Sequence, residues 1–454
     1  MKINEKIENY ILNKSNKLKI NSNDISKGDV FLALKGKNCH GNKYINHSLK
    51  KGAKYCITNK KIQNKKNLDK IYYVRDINFF LKSLAIKKRN CFKGKVIGIT
   101  GSAGKTTLKT TLSFFMKKKY NVSFSHKSYN NFLGVILSIL NMDSKSNFAI
   151  FELGTNNFGE ISSLVQYVKP SITMITNIQP THLENFKTKK NVAIEKSDIF
   201  NPKYNSNINS VILSNDTKEE KNLVKIAKKY KVKNVIKVGD TKNNNSYINK
   251  ITKRKNDYLY ELIINKKKYL IKTKIFEKHR IKNLLFCMTL FDKYKISKKI
   301  LLNNIEKLKP VEGRGSLIKK KLGKIKIHFI DETYNANPIT MKQSIVYLNS
   351  IKFKNYNKVL ILGNMNELGK ASVKYHFEII KFLENYKFDL VILCGKLLEL
   401  AICKIKKPKN NFIILRNEDD LLKYLKRHLY NNAILLAKCS NNTIVNKFGR
   451  KFLN

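Results

Sequence analysis

The alternation of apolar and polar positions turns on residues 95–118, KVIGITGSAGKTTLKTTLSFFMKK, where β-branched Val96, Ile97 and Ile99 predict a strand. A glycine turn follows at Gly101 and Gly104, and Leu108, Leu112, Phe115 and Met116 then recur at i, i+4, i+7 and i+8, one helix face. Upstream, Ile3, Ile7, Tyr10 and Ile11 predict an amphipathic helix, GDVFLAL, GAKYCITN and IYYVRD three strands, and 78–90 a connecting helix. Downstream, the strands FAIFELG, SITMITNI and SVILSND alternate with helices, one of them running through Glu195 and Lys196. Residues 240–276 alternate as β structure and HRIKNLLFCMTLF reads as a helix. From about 311 the alternation restarts with KIHFIDETYNANP, KVLILGNMNELG, FDLVILCG, NNFIILR and NAILLAKCS. The pattern predicts an α/β protein of three domains: a small α/β N-terminal domain over 1–92, a central P-loop ATPase-type, mostly parallel sheet over 93–310, and a C-terminal Rossmann-like domain over 311–454.

The turn after the 95–100 strand carries the chemistry. Glycines let backbone N–H groups wrap phosphate oxygens, a helix N-terminus adds positive potential, Lys105 reaches the β- and γ-phosphates, and a threonine hydroxyl takes Mg²⁺. The loop is the shorter G-x-x-G-K-T-T, because Ile99 stands where the general G-x-x-x-x-G-K-[ST] pattern has its first glycine. In a parallel sheet, reactive groups gather beyond the strands' carboxyl ends, where Glu152 follows FAIF and His182 follows ITMITNIQPT.

Composition changes this picture little. The net charge of +59 suggests a polyanionic partner, but the lysines are spread along the whole chain among many Asn and Ile, as an A+T-rich coding sequence imposes on solvated positions. No arginine cluster or stacking platform of a nucleic-acid module stands out, so no specific nucleic-acid partner is expected. Seven cysteines form no C-x-x-C pair and read as reduced thiols. No run approaches the roughly 18 apolar residues of a membrane helix, so the expectation is a cytoplasmic monomer without membrane insertion.

Together, FELGTNNFGEI, ITNIQPTHLENF, DETYNANP and LGNMNELG with His376 resemble the Mur ligase family, ATP-dependent amide-forming enzymes of peptidoglycan precursor synthesis, over nearly the whole chain. The tetrapeptide Tyr334-Asn335-Ala336-Asn337 is similar to that of the branch that joins D-alanyl-D-alanine to UDP-N-acetylmuramoyl-tripeptide. The resemblance implies a UDP-sugar-peptide-binding first domain, an ATP-binding second and a ligase third. It implies a two-step reaction through an acyl phosphate, with cations and fixed donors in place of a protein nucleophile. Two Mg²⁺ ions are implied, with Thr106, Glu152, His182 and a carbamoylated Lys196 as metal residues, and Lys105, Glu152, His182 and Lys196 as the catalytic set. Carbamoylation needs a neutral amine, so Lys196 is expected to be buried. ATP is expected on Thr100, Gly101, Ser102, Ala103, Gly104, Lys105, Thr106 and Thr107, with His279, Asn283, Arg314, Asp331 and Tyr334 around base, ribose and phosphates. Substrate contacts are expected at Lys35, Gly36, Asn130, Asn131, Thr155, Asn156, Asn335 and Asn337. Because these sets lie on different domains, the active form is expected to be closed.

The chain departs from the family pattern at Asn21-Ser22-Asn23 in place of Asp-Ser-Arg, at Ala103 and Arg280 in place of Asn, at Asn364 in place of Asp, and at Cys439 in place of Gly. Competing readings are another amino-acid ligase or folylpolyglutamate synthase-like enzyme of the same superfamily, and a nucleic-acid-stimulated P-loop NTPase.

Overall fold

A computed structural model describes residues 2–453 except 16, 37–38, 61–67, 127, 256 and 276. Three sheets follow one another along the chain. The first is parallel, β1 (Leu18–Lys19), β2 (Val30–Ala33), β3 (Tyr55–Thr58) and β4 (Ile71–Tyr73) in spatial order 1-2-3-4. Its helices Lys2–Asn13 and Ile77–Cys91 match the predicted pair, and Asp76 caps the second by accepting from Asn78 N and Phe79 N.

The central sheet has nine strands: β5 (Lys95–Thr100), β6 (Val122–Phe124), β7 (Phe148–Glu152), β8 (Ile172–Ile175), β9 (Ser210–Ser214), β10 (Asn234–Gly239), β11 (Ser246–Lys253), β12 (Tyr258–Ile264) and β13 (Lys267–Thr273), in order 13-12-11-10-9-8-5-7-6. Strands β5 to β10 run parallel, and β11 to β13 form an antiparallel meander where alternation predicted β structure. The chain winds from β5 to one side and then returns to the other, so the sheet's switch point lies at β5, where a crevice opens beyond the strand ends. The third sheet is β14 (Ser316–Leu322), β15 (Ile325–Glu332), β16 (Asn357–Gly363), β17 (Leu390–Cys394), β18 (Phe412–Ile414) and β19 (Ala433–Lys438), in order 14-15-19-16-17-18. It is parallel except for the edge strand β14, which runs antiparallel to β15 and was not expected from the sequence.

The first unit does not keep a core to itself. Phe80, Leu81, Leu84 and Ala85 of helix Ile77–Cys91 share one buried cluster with Leu137, Leu140, Ile161 and Leu164 of the central unit. Polar ties reinforce this: Arg89 donates to Val168 O at 2.6 Å and Lys169 O at 2.7 Å, capping the C-terminus of helix Glu160–Val168. Asn141 pairs both backbone groups of Leu18, accepting from its N–H at 2.8 Å and donating to its carbonyl at 2.9 Å. The C-terminal unit meets the central one across a more polar seam, described next. Among the described residues no helix is long and apolar enough to cross a membrane.

Candidate active site between the central and C-terminal domains

Strand β5 ends at Thr100, and its hydroxyl donates to Leu153 O at 2.8 Å, fixing the mouth of the loop against the β7 end. Gly101 then takes φ 144°, and a Cβ there would fall 2.0 Å from Thr176 Oγ1, so only glycine fits. The loop is held from the β8 side: Asn177 Oδ1 accepts from Ala103 N, Thr176 Oγ1 donates to Ala103 O, and Ser102 Oγ accepts from Gln179 N. Gly104, at φ 80°, opens the helix Lys105–Met116, leaving that helix N-terminus aimed at the space in front of the loop. Lys105 folds back to donate to Gly101 O at 2.7 Å.

Behind the loop lies a buried polar cluster centred on Glu152, the last residue of β7. Thr106 Oγ1 donates to Glu152 Oε2 at 2.8 Å, Asn130 Nδ2 donates to Oε1 at 2.8 Å, and Lys109 Nζ lies 3.3 Å from Oε2. Burial works against the Glu152 charge, but Lys109, Lys105 and Arg314 outweigh it and hold the carboxyl below its usual range. Lys105 and Lys109 are both pushed down, chiefly by burial, with Glu152 opposing the shift. Lys109 has no counterpart among the sequence-derived candidates; it reads there as one lysine among many.

A cavity of about 690 Å³ opens in front of this cluster. Of the sequence-derived residues, Ser102, Ala103, Gly104, Lys105, Thr107, Asn130, Asn131, Glu152, Thr155, Asn156 and His182 line it from the central domain, with His279 and Asn283 beside them. Arg314, Tyr334, Asn335 and Asn337 line it from the C-terminal domain, so both domains form its wall. Arg314 stacks 4.5 Å over the Tyr334 ring and reaches Ser128 Oγ at 3.5 Å, across the seam. The buried Asn283 Nδ2 has no hydrogen-bond partner, an amide donor left for something in the cavity.

Other candidates stand outside the wall. Thr106 lies one layer back, against Glu152 and Ser128. Asp331 is buried, its Oδ1 accepting from Thr333 N and Oγ1. Lys35 and Gly36 belong to a small turn in the first domain, where Lys35 bridges His40 and Gly36 N donates to Cys39 O; the neighbouring 37–38 lie outside the described residues. Asn337 caps helix Pro338–Ser350 by accepting from Ile339 N and Thr340 N, and its amide donates across the seam to Gln179 Oε1 at 2.9 Å.

Lys196 is 1 % exposed at the end of helix Lys189–Ser197, with its pKa well below 10.5 through burial, nearby Lys105 adding to the effect and Glu195 opposing it. The adjacent Glu195 is a residue that sequence reasoning passed over: its carboxylate accepts from Gly159 N, Ile161 N and Thr155 Oγ1, fixing the start of helix Glu160–Val168 beside the cavity. On the far wall Glu332 receives Lys438 Nζ at 3.1 Å and the Ser344 hydroxyl, and lies close to His279. Burial lowers the His279 pKa, Glu332 pulling the other way.

The donor set suits Mg²⁺. The Thr106 hydroxyl lies between the Ser128 hydroxyl and the ionised Glu152 carboxylate, all hard oxygen ligands. Among the described residues no three or more His, Cys, Asp or Glu side chains gather as a metal-binding group, so such an ion would rest on few protein ligands together with phosphate oxygens.

Comparison with known proteins accords with this geometry. The Mur ligase middle-domain model matches residues 99–291, and the model described as Mur ligase family, catalytic domain, matches 15–90. The UDP-N-acetylmuramoyl-tripeptide--D-alanyl-D-alanine ligase of Rickettsia prowazekii is 30 % identical over 444 residues, covering 95 % of this chain and 94 % of that protein. The MurF ligase of Thermotoga maritima, solved in complex with ADP, superposes with a TM-score of 0.78 at 25 % identity, covering 97 % of each chain. MurF from Acinetobacter baumannii shares the fold at 22 % identity, with a TM-score of 0.78 over 96 % of this chain and 93 % of that one. With a relative this similar along almost its whole length and one interdomain cavity built on its phosphate loop, the chain belongs to the Mur ligase family.

Proposed function

We propose that this protein joins D-alanyl-D-alanine to UDP-N-acetylmuramoyl-tripeptide at the expense of ATP in peptidoglycan precursor synthesis. The observation that carries this reading is the pairing of near-full-length similarity to a ligase of that name with a two-domain cavity whose central wall is a phosphate loop. In the first step an oxygen of the tripeptide's terminal carboxylate bonds to the γ-phosphorus and the bond to the β-phosphate bridging oxygen breaks, releasing ADP. In the second step the dipeptide amine attacks the acyl carbon, the C–N bond forms, the C–O bond to phosphate breaks, and the amine gives up a proton. Both steps crowd negative charge between the reactants, so the catalytic groups are donors and cations fixed beforehand.

The loop amides from 101–105, the helix N-terminus and Lys105 hold the β- and γ-phosphates. Arg314, braced on Tyr334, meets them from the other domain, and Asn283 offers its unpartnered amide to the base. Thr106 and Glu152 would hold Mg²⁺, which would supply charge neutralisation on the phosphate oxygens. His182 would serve a second ion, adding positive charge where the acyl phosphate forms. Lys196, whose burial favours the neutral amine, would add CO₂ and lose a proton to become a carbamate serving the same metal region. Residues Lys35 and Gly36 contact the UDP-sugar, Asn130, Asn131, Thr155 and Asn156 the peptide side of the cavity, and Asn335 and Asn337 the incoming dipeptide. The units 1–92, 93–310 and 311–454 divide these tasks, and the protein acts as a cytoplasmic monomer. Phosphate release tests the reading: it should require UDP-N-acetylmuramoyl-tripeptide, D-alanyl-D-alanine, ATP and Mg²⁺ together. Silence with that mixture and release stimulated by DNA or RNA would overturn it.

A further inference from the structure

His182 and Glu367 come from different domains and meet where these domains touch. His182 follows the loop after β8 and holds φ 53°, Glu367 follows β16 and holds φ 65°, and neither is glycine. Left-handed backbone at non-glycine residues persists where surrounding contacts impose it, and such contacts are present on both sides. Glu184 N donates to Glu367 O at 3.3 Å, and Gly369 packs so closely that a Cβ there would lie 3.0 Å from Glu184 Cα. Phe186 sets its ring edge-on to the imidazole at 6.5 Å. Between these supports His182 Nδ1 lies 2.5 Å from Glu367 Oε2, in contact but without the straight alignment of a hydrogen bond. His182 lines the cavity and Glu367 does not, and with Nδ1 against the carboxylate, Nε2 is the ring nitrogen away from it.

A carboxylate 2.5 Å from Nδ1 is placed to accept its N–H once the ring turns into line, and a histidine so held presents its other nitrogen as an oriented, more basic metal ligand. We infer that Glu367 is a positioning residue: docking of the C-terminal domain brings its carboxylate to His182 and aims Nε2 at the second-metal position, so that this position is complete only in the docked arrangement. The inference rests on the reading of His182 as a metal residue given above. It also assigns the ELG segment of LGNMNELG a task in the central domain's site rather than in its own domain.

The test uses the full chain with Mn²⁺ and a non-hydrolysable ATP analogue, reading Mn²⁺ affinity by EPR titration and histidine-nitrogen coupling by pulsed EPR. Wild type should bind two ions, one coupled to nitrogen. Glu367→Gln should weaken that ion by about 10–100-fold and diminish the coupling. Glu367→Asp should restore part of it, with analogue affinity in the absence of metal within about twofold of wild type throughout. Glu367 is about half exposed, so these variants should fold, which circular dichroism checks. His182→Ala should lose as much, and the double variant no more than either alone, the non-additivity of residues acting as one unit. Wild-type Mn²⁺ affinity and coupling in Glu367→Gln, or losses that simply add, would overturn the inference while normal phosphate release left the proposed reaction standing. The expected Mn²⁺ changes in a protein that releases no phosphate from the proposed substrates would uphold the positioning role and overturn the reaction instead.

Discussion

Replacing Glu152 by Gln separates what this carboxylate does for folding from what it does for the reaction. Glu152 and Lys109 are each 1 % exposed, and their charges lie 3.3 Å apart, an attraction of about 5 kcal/mol at an effective dielectric of about 20. In Glu152→Gln the Lys109 ammonium stays buried without that carboxylate, and it then feels Arg314, a cation that the carboxylate had offset. Breaking a buried pair on one side costs about 3–5 kcal/mol, and that is the expected loss, a factor of about a hundred to several thousand in the unfolding equilibrium. Glu152→Gln/Lys109→Met removes both charges at nearly constant volume and should return stability to within about 1 kcal/mol of wild type. Urea unfolding without nucleotide, compared at matched slope, reads both variants. Phosphate release should be lost in both, because neither keeps the carboxylate. A single variant that unfolds at the wild-type midpoint, or a double variant no more stable than the single one, would refute the reasoning that this pair is an internal charge balance.

Three further outcomes are expected. Lys105→Ala should lower turnover by at least about 100-fold while leaving the urea midpoint near wild type; normal turnover would contradict its place on the phosphates. Lys196→Ala should be nearly inactive and partly rescued by short carboxylates, and wild-type turnover after CO₂ depletion should return with bicarbonate more completely as pH rises, since only the neutral amine reacts. The fold lowers the Lys196 pKa, so between that lowered value and the ordinary 10.5 the unfolded chain holds more proton than the folded chain, and the uncarbamoylated protein should gain stability as pH rises through that window, a slope that Lys196→Met should flatten. Asn337→Ala removes a helix cap and the bond to Gln179, and urea unfolding should report a loss of about 1–2 kcal/mol; an unchanged midpoint would show that neither contact matters.

What was legible in the sequence was local. Glycines at 101 and 104, the Lys-Thr-Thr after them and the i, i+4, i+7 stripe that follows specify strand, loop and helix within two dozen residues, and the structure forms each of them. The strand ends carrying Glu152 and His182 were legible for the same reason, since a buried parallel strand announces itself as an apolar run. Lys109, Glu195 and Glu367 were not, because each acts through a partner that only the folded chain brings near. Lys109 meets a carboxylate 43 positions later (152 − 109), and Glu367 meets a histidine from another domain. In a chain with 91 Lys and Arg, a single lysine at helix spacing gives no sign of which one is buried. Edge strand β14 was missed because its alternating exposed lysines at 319–321 weaken the apolar signal.

The Asn141 clasp on Leu18 and the Arg89 cap on Val168 and Lys169 bear on how the chain can be divided. A sequence reader places a boundary near residue 92, yet excision there would strip Leu137, Leu140, Ile161 and Leu164 of their apolar cover and leave the carbonyls of Val168 and Lys169 without a cap. The first two units are therefore separate modules in the sequence and a single inheritance in the fold: neither can be exchanged with a relative's version unless the other side of the shared surface comes with it, whereas an exchanged third unit would have to keep only a few polar partners, Arg314, Asn337 and Glu367, for Ser128, Gln179 and His182.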